Sequence, residues 1–410
     1  MQVLTWSERP LRIEEAVDFL AVTPECQPGF DEKNRIPVPK EILKLCSSLI
    51  TIVSVPQLKR DHVDFASSTV QEMQLAHFSV KEYFRSNRLD KKFQQDLCET
   101  SAAGCIARVS LTYLLHMESD LSLRELKWKY PLSRHSAQYW MRFTRIAGAK
   151  CGTLQEMAIQ LLSDHEQYVK WRSIFDPDAP WSMEPKMSTQ LPEPLYYASM
   201  EGLESVTAVL ISKGADVDAK GGRYGGALQA ACSGGYEKLA AMLLEQGADI
   251  NAKGGRYGGA LQAACLGGYE KLVAMLLEKG ADINTKGGWY GGALQAACSG
   301  GHEKLVAMLL EKGADINIKD EHYGRALQAA CSGDHEKLAA MLLEKGADVN
   351  SDALQAACFR GHEKLVAMLL DKGADVNSDV LQAACSGGHE KTVCLLMTYG
   401  ANPLVASDGV

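Results

Sequence analysis

The sequence predicts a mainly α-helical protein whose second half is a solenoid of stacked helical repeats. A phrase of small and apolar residues, first complete at Gly226 to Gly235, returns several times along the chain. The copies are spaced by 33 residues and then by 27, and most of them end in Gly-Ala-Asp, as at Gly247 to Asp249. Self-similarity at this period is typical of solenoids, in which each unit buries its apolar face only against its neighbours.

Seven units can be counted from the leucine that recurs in the phrase, at Leu195, Leu228, Leu261, Leu294, Leu327, Leu354 and Leu381. Ala227 to Ser233 predicts a short first helix, whose small residues let neighbouring units approach closely. Glu237 to Gln246 predicts a second helix with a leucine-rich apolar stripe. Gly247 and its counterparts fit the left-handed backbone position that ends a helix.

The unit resembles the ankyrin repeat in three features, which are Gly301-His302, Leu309-Leu310 and the closing run Gly313 to Asn317. Gly-Ala-Leu-Gln at 226–229 replaces the Thr-Pro-Leu-His that usually opens this repeat. The resemblance covers residues 191–410 and implies a helix-turn-helix unit with a projecting β-type loop. We use the word finger for this loop, which joins the second helix of one unit to the first helix of the next. The resemblance also implies a protein partner bound at the concave face and the finger tips.

Candidate binding residues lie at exposed positions, chiefly where the copies of the repeat differ, because packing against neighbouring units constrains the core positions that recur in every copy. They are the finger pairs Arg223 and Tyr224, Arg256 and Tyr257, Trp289 and Tyr290, and His322 and Tyr323, together with Leu266, Phe359 and Arg360 near the ends of first helices. Tyr, Trp and Arg are enriched in binding hot spots. The tyrosine recurs in all four fingers and can instead stack on the next finger, so the variable member of each pair is the stronger candidate.

The last two junctions of the repeat array are shorter than the others. The steps of 27 residues lack six residues of the 33-residue step, and those six come from the finger. Asn350 and Asn377 lead through Ser-Asp directly into the next first helix. We therefore expect these junctions to keep their helices and lose their fingers, which opens the concave face at the C-terminal end.

Two ladders of chemically reactive side chains recur in the repeats. One cysteine per unit marks the same position, at Cys232, Cys265, Cys298, Cys331, Cys358 and Cys385. Stacked helices lie roughly 8–10 Å apart, which is too far for disulfides between layers or for one shared zinc ion. We expect small buried apolar side chains there, and no metal. The histidines at 302, 335, 362 and 389 lack the second His of a His-Glu-x-x-His zinc site, and we expect them to form hydrogen bonds in the turn.

Composition limits the classes of protein that this chain can be. A length of 410 residues favours several domains. The net charge of −8 does not favour binding to nucleic acid or to an anionic membrane. No apolar run approaches the length of about 20 residues that spans a bilayer. Charged residues near the N-terminus argue against a signal peptide, and twelve cysteines without a dense framework predict a reducing, cytoplasmic location.

Residues 1–90 show the element order of a winged-helix domain. Apolar residues between Ile13 and Leu20 predict an amphipathic helix, and Pro39 is expected to begin a second helix that continues to Cys46. The runs 49–53 and 73–78 predict two strands. Ser79 is then expected to cap a third helix, with Glu82 as its capping-box partner.

Two phrases make the resemblance of this region more specific. Ser7 to Leu11 and Leu75 to Tyr83 resemble the winged helix that follows the NACHT nucleotide-binding domain in fungal NOD-like receptors. That resemblance implies a signalling protein that couples a nucleotide switch to a repeat sensor. It also implies a contact between His77 and the phosphate of ADP, whereas the alternative for His77 is a partly buried core histidine.

The sequence leaves two alternatives to recognition of a protein partner. The chain contains no Gly-x-x-x-x-Gly-Lys-Ser/Thr run, so it holds no P-loop of its own. It can still be the C-terminal fragment of a STAND-class NTPase whose catalytic domain lies upstream. DNA binding would need clustered cations, and the candidate recognition helix at 41–46 has few. We therefore expect a non-enzymatic protein with no catalytic residue, cofactor or nucleic-acid partner.

Residues 91–190 predict a helical connector followed by a linker. Helices are expected at 93–98, 102–117, 121–128, 135–146, 154–162 and 166–174. The aromatic phrases around Trp140 and Trp171 resemble the connector between winged helix and repeats in the same fungal family, and plain packing of a helical spacer explains them equally well. Five prolines between 176 and 194 predict an extended linker, since proline and the residue before it both resist helix.

Overall fold

A computed structural model of the chain describes residues 1–25, 29–45, 48–56, 69–86, 88–118, 121–148, 152–182, 191–320 and 324–401. The fold divides into two compact units. The first unit consists of Met1–Pro194 and Leu203–Gly214, and the second of Leu195–Gly202 and Ala215–Val410.

The N-terminal part of the first unit combines short helices with a small sheet. In chain order it contains α1 (Gln2–Trp6), β1 (Leu11–Arg12), α2 (Ile13–Ala21), 3-10 helices at Glu32–Asn34 and Pro39–Leu45, β2 (Ile50–Pro56), β3 (Thr69–Leu75) and α3 (Phe78–Arg85). The three strands are antiparallel in the order β1-β3-β2, and Met73 of β3 lies opposite both Leu11 and Ile52. The buried faces of α2 and of this sheet form the local core.

Three local predictions for this region were wrong. The second helix is a 3-10 helix that ends at Leu45, and Cys46 lies outside the described residues. The cap of α3 is His77, whose Nδ1 accepts a hydrogen bond from the backbone N–H of Ser79 at 3.1 Å. His77 is exposed, so it is not the partly buried core histidine considered above. An imidazole nitrogen can accept from the first turn of a helix as a hydroxyl does, which lets the helix begin at Phe78.

In the rest of the N-terminal half, the described residues form six helices, at α4 (Lys91–Leu97), α5 (Glu99–Leu115), α6 (Leu123–Lys129), α7 (Ser133–Ala147), α8 (Gly152–Ser163) and α9 (His165–Ile174). The buried helix α5 packs along α7. Trp140 and Trp171 meet edge to face at 5.7 Å between ring centroids, and the indole N–H of Trp171 donates to the carbonyl of Ala137. Aromatic packing of this kind accounts for the aromatic phrases of the connector.

The repeats form fourteen helices in seven pairs, which are α10 (Pro194–Met200), α11 (Glu204–Ser212), α12 (Ala227–Ser233), α13 (Glu237–Glu245), α14 (Ala260–Leu266), α15 (Glu270–Glu278), α16 (Ala293–Ser299), α17 (Glu303–Glu311), α18 (Ala326–Ser332), α19 (Glu336–Glu344), α20 (Ser351–Arg360), α21 (Glu363–Asp371), α22 (Ser378–Ser386) and α23 (Glu390–Thr398). Helix α11 belongs to the first compact unit, where it packs against α8. The alanine-rich first helices pack against one another in order from α12 to α22.

Hydrogen bonds between successive units hold this array in register. The side-chain N–H of Gln229, Gln262 and Gln295 donates to a carbonyl of the following finger at 2.9–3.0 Å. A second series uses asparagine, and Asn251 illustrates it: its side-chain oxygen accepts from the N–H of Asp282, and its amide donates to the carbonyl of Gly280. Because these groups are repeated in sequence, the asparagine bonds recur at Asn284 and Asn317. At the first finger, Tyr196 and Asp218 stand at the positions of the glutamine and the asparagine and form other bonds to the next unit.

Candidate functional site

The first three fingers are stacked on one another through their backbones. The N–H of Arg256 donates to the carbonyl of Arg223 at 2.7 Å, and the N–H of Trp289 donates to the carbonyl of Arg256 at 2.7 Å. Each of these fingers is closed by a hydrogen bond between glycines, as from the N–H of Gly254 to the carbonyl of Gly258 at 2.9 Å. The fingers therefore form a continuous, hydrogen-bonded edge.

Glycine is required where adjacent fingers touch. Gly225 has φ of +100°, and a Cβ built there would lie 2.3 Å from the carbonyl carbon of Gly254 in the next finger. Gly258 repeats this contact with the carbonyl of Gly287. No side chain fits between backbones at that separation, which explains why the glycine-rich phrase recurs.

The finger tyrosines form a ladder beneath this edge. The rings of Tyr224 and Tyr257 are stacked with centroids 5.3 Å apart, and those of Tyr257 and Tyr290 with centroids 5.6 Å apart. Tyr196 of the first unit of the array begins the ladder, since its hydroxyl accepts a hydrogen bond from the N–H of Tyr224. The rings are half-buried. Among the two roles considered for this tyrosine, the geometry favours stacking between fingers.

Trp289 occupies a different position from the tyrosines, because its side chain is 58% exposed. The guanidinium of Arg256 lies 5.0 Å from the centroid of the indole ring, within the range of a cation–π contact. The preceding finger thus supports the ring while leaving much of it open to solvent. An exposed tryptophan on a rigid backbone is well suited to bind a partner, since little conformational entropy is lost when it is covered.

Two of the expected binding residues, His322 and Tyr323, lie outside the described residues. On either side of them, Asp320 and Gly324 are joined by a backbone hydrogen bond of 2.8 Å from the N–H of Asp320. That closure resembles the closure of the three preceding fingers.

Beyond the fourth finger, the junctions are direct. The side chain of Asn350 caps α20 by accepting from the N–H of Ala353, and Asn377 caps α22 in the same way by accepting from Val380. The first helix of each of these units begins at the very next residue, and no finger precedes it. Asn350 and Asn377 therefore cap helices, whereas the equivalent Asn251 links two units.

A groove opens on the first helices at this end of the array. It has a volume of about 330 Å³, and its lining includes Gln328, Ser332, Gln355, Phe359 and Arg360. Phe359 is 53% exposed, and Arg360 is exposed beside it. The structure thus places Phe359 and Arg360, two of the expected binding residues, in one groove with Gln328 of the preceding unit.

The known proteins that this chain resembles identify the repeat. A family described as ankyrin repeats matches in three overlapping copies, at residues 195–287, 261–353 and 327–407, which together span more than half of the sequence. The chain belongs to the ankyrin repeat family.

Two individual proteins are similar to part of this chain. Azaphilone pigments biosynthesis cluster protein L of Monascus ruber is 35% identical over 253 residues, which cover 57% of this chain and 51% of that protein. The chain spans about half the length of this curated relative. The ankyrin repeat domain of human ASB11 in its crystal structure is 26% identical, with a TM-score of 0.43 and coverage of 52% of this chain and 99% of the other.

The ankyrin frame is altered at one point that the sequence reasoning missed. In most units the ring of a Tyr or His before the second helix lies against two glycines, as the ring of His302 does against Gly268 and Gly300. Around His362, these glycines are replaced by Asp334 and Arg360. The Nδ1 of His362 lies 3.2 Å from the carboxylate of Asp334, and its buried Nε2 has no partner among the described residues. The broken Gly-Gly pattern at 333–334 was the available signal.

The cysteine and histidine ladders have structural positions in the ankyrin array. Cys232, Cys265, Cys298, Cys331 and Cys358 are fully buried, as small apolar side chains would be, whereas Cys385 is exposed at the last first helix and departs from that prediction. Histidines contact the preceding unit as well as their own turn, since the ring of His302 bonds to the carbonyl of Leu266 at 2.9 Å. Leu266 itself is half-buried and lies away from the groove.

A search of the described part of the chain finds no helix that is long and apolar enough to cross a bilayer. Among the same residues, no group of three or more His, Cys, Asp or Glu side chains is arranged to hold a metal ion.

Proposed function

We propose that this ankyrin repeat protein is a non-enzymatic recognition protein, which binds a protein partner through its finger tips and the concave side of its first helices. Ankyrin repeats serve in general as protein-binding units, and the proposal specifies where binding occurs here. The observation that carries it is Trp289, an exposed indole on a finger whose backbone is bonded to the finger before it. Residues of this type dominate binding energy at interfaces when they are held rigidly.

Site-specific crosslinking tests this proposal directly. A photoreactive amino acid is placed at position 289 of the full chain, and a second preparation carries it at Trp128, which is 84% exposed in the first unit. We expect a defined protein to crosslink at 289 and not at 128. Crosslinking at both positions alike, or at neither, would show that the fingers do not form the binding surface.

The full chain is the appropriate material for this experiment. Helix α11 is the second helix of the first ankyrin unit, yet it packs against α8 of the N-terminal half. A fragment cut at residue 191 would expose that face of α11 and could bind proteins nonspecifically through it.

We further propose that the protein acts in the cytoplasm as a sensor or scaffold of the NOD-like receptor type, with residues 1–90 as a winged helix. The antiparallel sheet β1-β3-β2 beside short helices supports this assignment, together with the phrases at Ser7 to Leu11 and Leu75 to Tyr83. The alternative is a fragment of a STAND-class NTPase. Sequencing of full-length transcripts distinguishes the two, because an in-frame P-loop motif upstream would favour the NTPase.

A further inference from the structure

The groove at the finger-less end lies next to a glutamine that has lost the hydrogen bond of its counterparts. Gln229, Gln262 and Gln295 donate to carbonyls of the next finger, at Ala252, Thr285 and Ile318. Gln328 is the equivalent residue of the next unit. Each of those carbonyls lies 23 residues after its glutamine. The residue at the same distance after Gln328 is Ser351, which already belongs to helix α20. Gln328 consequently has no following finger to bond to, although its Oε1 lies near Gly324 of the preceding finger.

The side chain of Gln328 is left partly unsatisfied. Its Oε1 is buried without a hydrogen-bond partner, as is that of Gln295. Gln295 still donates through Nε2 to Ile318, whereas no residue in the described part of the chain accepts from the Nε2 of Gln328. Gln229, Gln262 and Gln295 are buried beneath a finger, whereas Gln328 is only half-buried and lines the groove. A polar group withdrawn from water without a partner is unfavourable, so an occupant that bonds to it would be favoured.

Three further side chains define what the groove can accept. Phe359 presents an exposed ring, and Arg360 makes no ion pair with any residue that the structure describes. Asp352 also lines the groove, but its carboxylate already lies 3.8 Å from the Nζ of Lys319, so Arg360 is left to pair with a ligand. Most other units carry Ser and Gly at the positions of Phe359 and Arg360, so the ring and the cation are additions to the repeat frame. A guanidinium favours a carboxylate, which it can bind with two parallel hydrogen bonds.

We propose that this groove binds a short extended segment of a protein partner, which takes the place of the missing finger. A backbone N–H of the segment donates to the Oε1 of Gln328, a backbone carbonyl accepts from its Nε2, an acidic side chain pairs with Arg360, and an apolar side chain covers Phe359. The segment is extended because helical carbonyls are already bonded within their own helix, whereas the finger carbonyls that bond to Gln229 and its counterparts are not. This proposal rests on the proposed recognition function and specifies the chemistry of the ligand.

Displayed random peptides provide a probe for the groove. We expect selection on the full chain to enrich peptides with Asp or Glu next to an apolar residue. Two variants test the site. F359S/R360G restores the residues of the other units and should weaken binding of a selected peptide by about tenfold or more, since it removes a charged hydrogen bond. Inserting the six residues that lengthen the junction after Asn350 to the 33-residue step should block the groove.

Controls show whether the loss is specific to the groove. Trp128→Ala, which changes an exposed side chain of the first compact unit, should leave the affinity for the selected peptide unchanged, and thermal melts should show that both groove variants remain folded. Peptides without acidic residues, or peptides that bind F359S/R360G and the insertion variant as tightly as the original chain, would overturn the proposal. A selection that yields no binder specific to the groove would also overturn it. The proposed recognition function is tested separately by crosslinking at position 289, because that experiment reports on the fingers alone. A failure of the groove proposal would therefore leave it unaffected.

Discussion

At the scale of single residues, glycines decide whether the fingers can stack. Gly225 and Gly247 share a left-handed backbone, with φ of +100° and +92°, but only Gly225 faces another backbone. We expect Gly247→Ala to destabilise by about 1–2 kcal/mol, the cost of the left-handed conformation. Gly225→Ala should cost clearly more, because its Cβ would collide with Gly254. Urea unfolding of both variants measures the difference, and equal losses would contradict the stacked-finger geometry.

Core and surface side chains of the repeats should respond in opposite ways to truncation. Leu309 is fully buried in α17, so Leu309→Ala should lower the free energy of unfolding by about 2–5 kcal/mol. Trp289 is mostly exposed, so Trp289→Ala should change the free energy of unfolding by no more than about 0.5 kcal/mol. Thermal or chemical denaturation provides the measurement. Unfolding of the array by Trp289→Ala would instead make the indole a structural part of the finger edge.

The buried His135 should make stability depend on pH. Burial lowers the pKa of His135 from 6.5 to about 4, and the charge of Arg9 adds to this effect. The unfolded chain therefore binds a proton first as the pH falls from 6.5 towards 4, and the folded state loses stability over that window. Above 6.5 the histidine contributes no pH dependence.

The variant His135→Gln removes this contribution and keeps that of the carboxylates, which also bind protons at low pH. The lowered pKa of His135 corresponds to a loss of unfolding free energy on the order of 3 kcal/mol at low pH. The stability of the variant should therefore depend less steeply on pH. Denaturation at a series of pH values from 7 to 4 compares the two proteins. Parallel slopes would show that His135 is not buried as a neutral ring.

At the scale of elements, the junctions differ in how many bonds connect the units. The junctions at the second and third fingers have the glutamine bond, the asparagine bonds and the finger stacking, as seen at Gln262, Asn251 and Tyr257. The junctions that begin with Asn350 and Asn377 use those asparagines as helix caps instead. The last two units are joined by helix packing and by bonds of other residues, such as that from the ring of His389 to the carbonyl of Phe359, without the glutamine, asparagine and finger contacts.

Thiol labelling can detect the expected difference in local opening. Cys265 and Cys358 are both fully buried, and burial raises the pKa of both thiols, that of Cys358 to about 12. Neither should react in the closed state. We expect Cys358 to be alkylated faster than Cys265 under native conditions, because its unit opens more readily. Peptide-level mass spectrometry measures both rates in one sample, and equal rates would contradict a weaker C-terminal end.

The element pattern was largely readable from the sequence, and the reason is its repetition. The helix Ala227–Ser233 and the shortened junction after Asn350 both follow from local propensity and chain length. The same reasoning could not place Gln328 beside Phe359 and Arg360, because these residues come together only through packing of successive units. Reasoning from the sequence also did not predict that His77 caps α3, because side-chain geometry at a helix start depends on the strand that precedes it.

At the scale of the whole molecule, the boundary between the two compact units does not coincide with the start of the repeat. Helix α11 is grouped with the first unit although its sequence is that of an ankyrin second helix. We expect amides of α11 to exchange faster in a fragment of residues 191–410 than in the full chain, because α8 is then missing. Hydrogen exchange in α14 should not change, which serves as the internal control. Unchanged exchange in α11 would mean that the repeats hold it without α8.

By itself, the sequence determined the class of fold and the number of repeats, and it nominated candidate residues for binding. Period, helix propensity and glycine positions are properties of the chain, so they can be read without coordinates. The tertiary structure decided which of the candidates are accessible: it stacks Tyr224 and Tyr257 within the finger edge, leaves Trp289 exposed and gathers Phe359 and Arg360 around an unsatisfied Gln328. Exposure and proximity depend on what neighbouring units cover, and no single repeat contains that information.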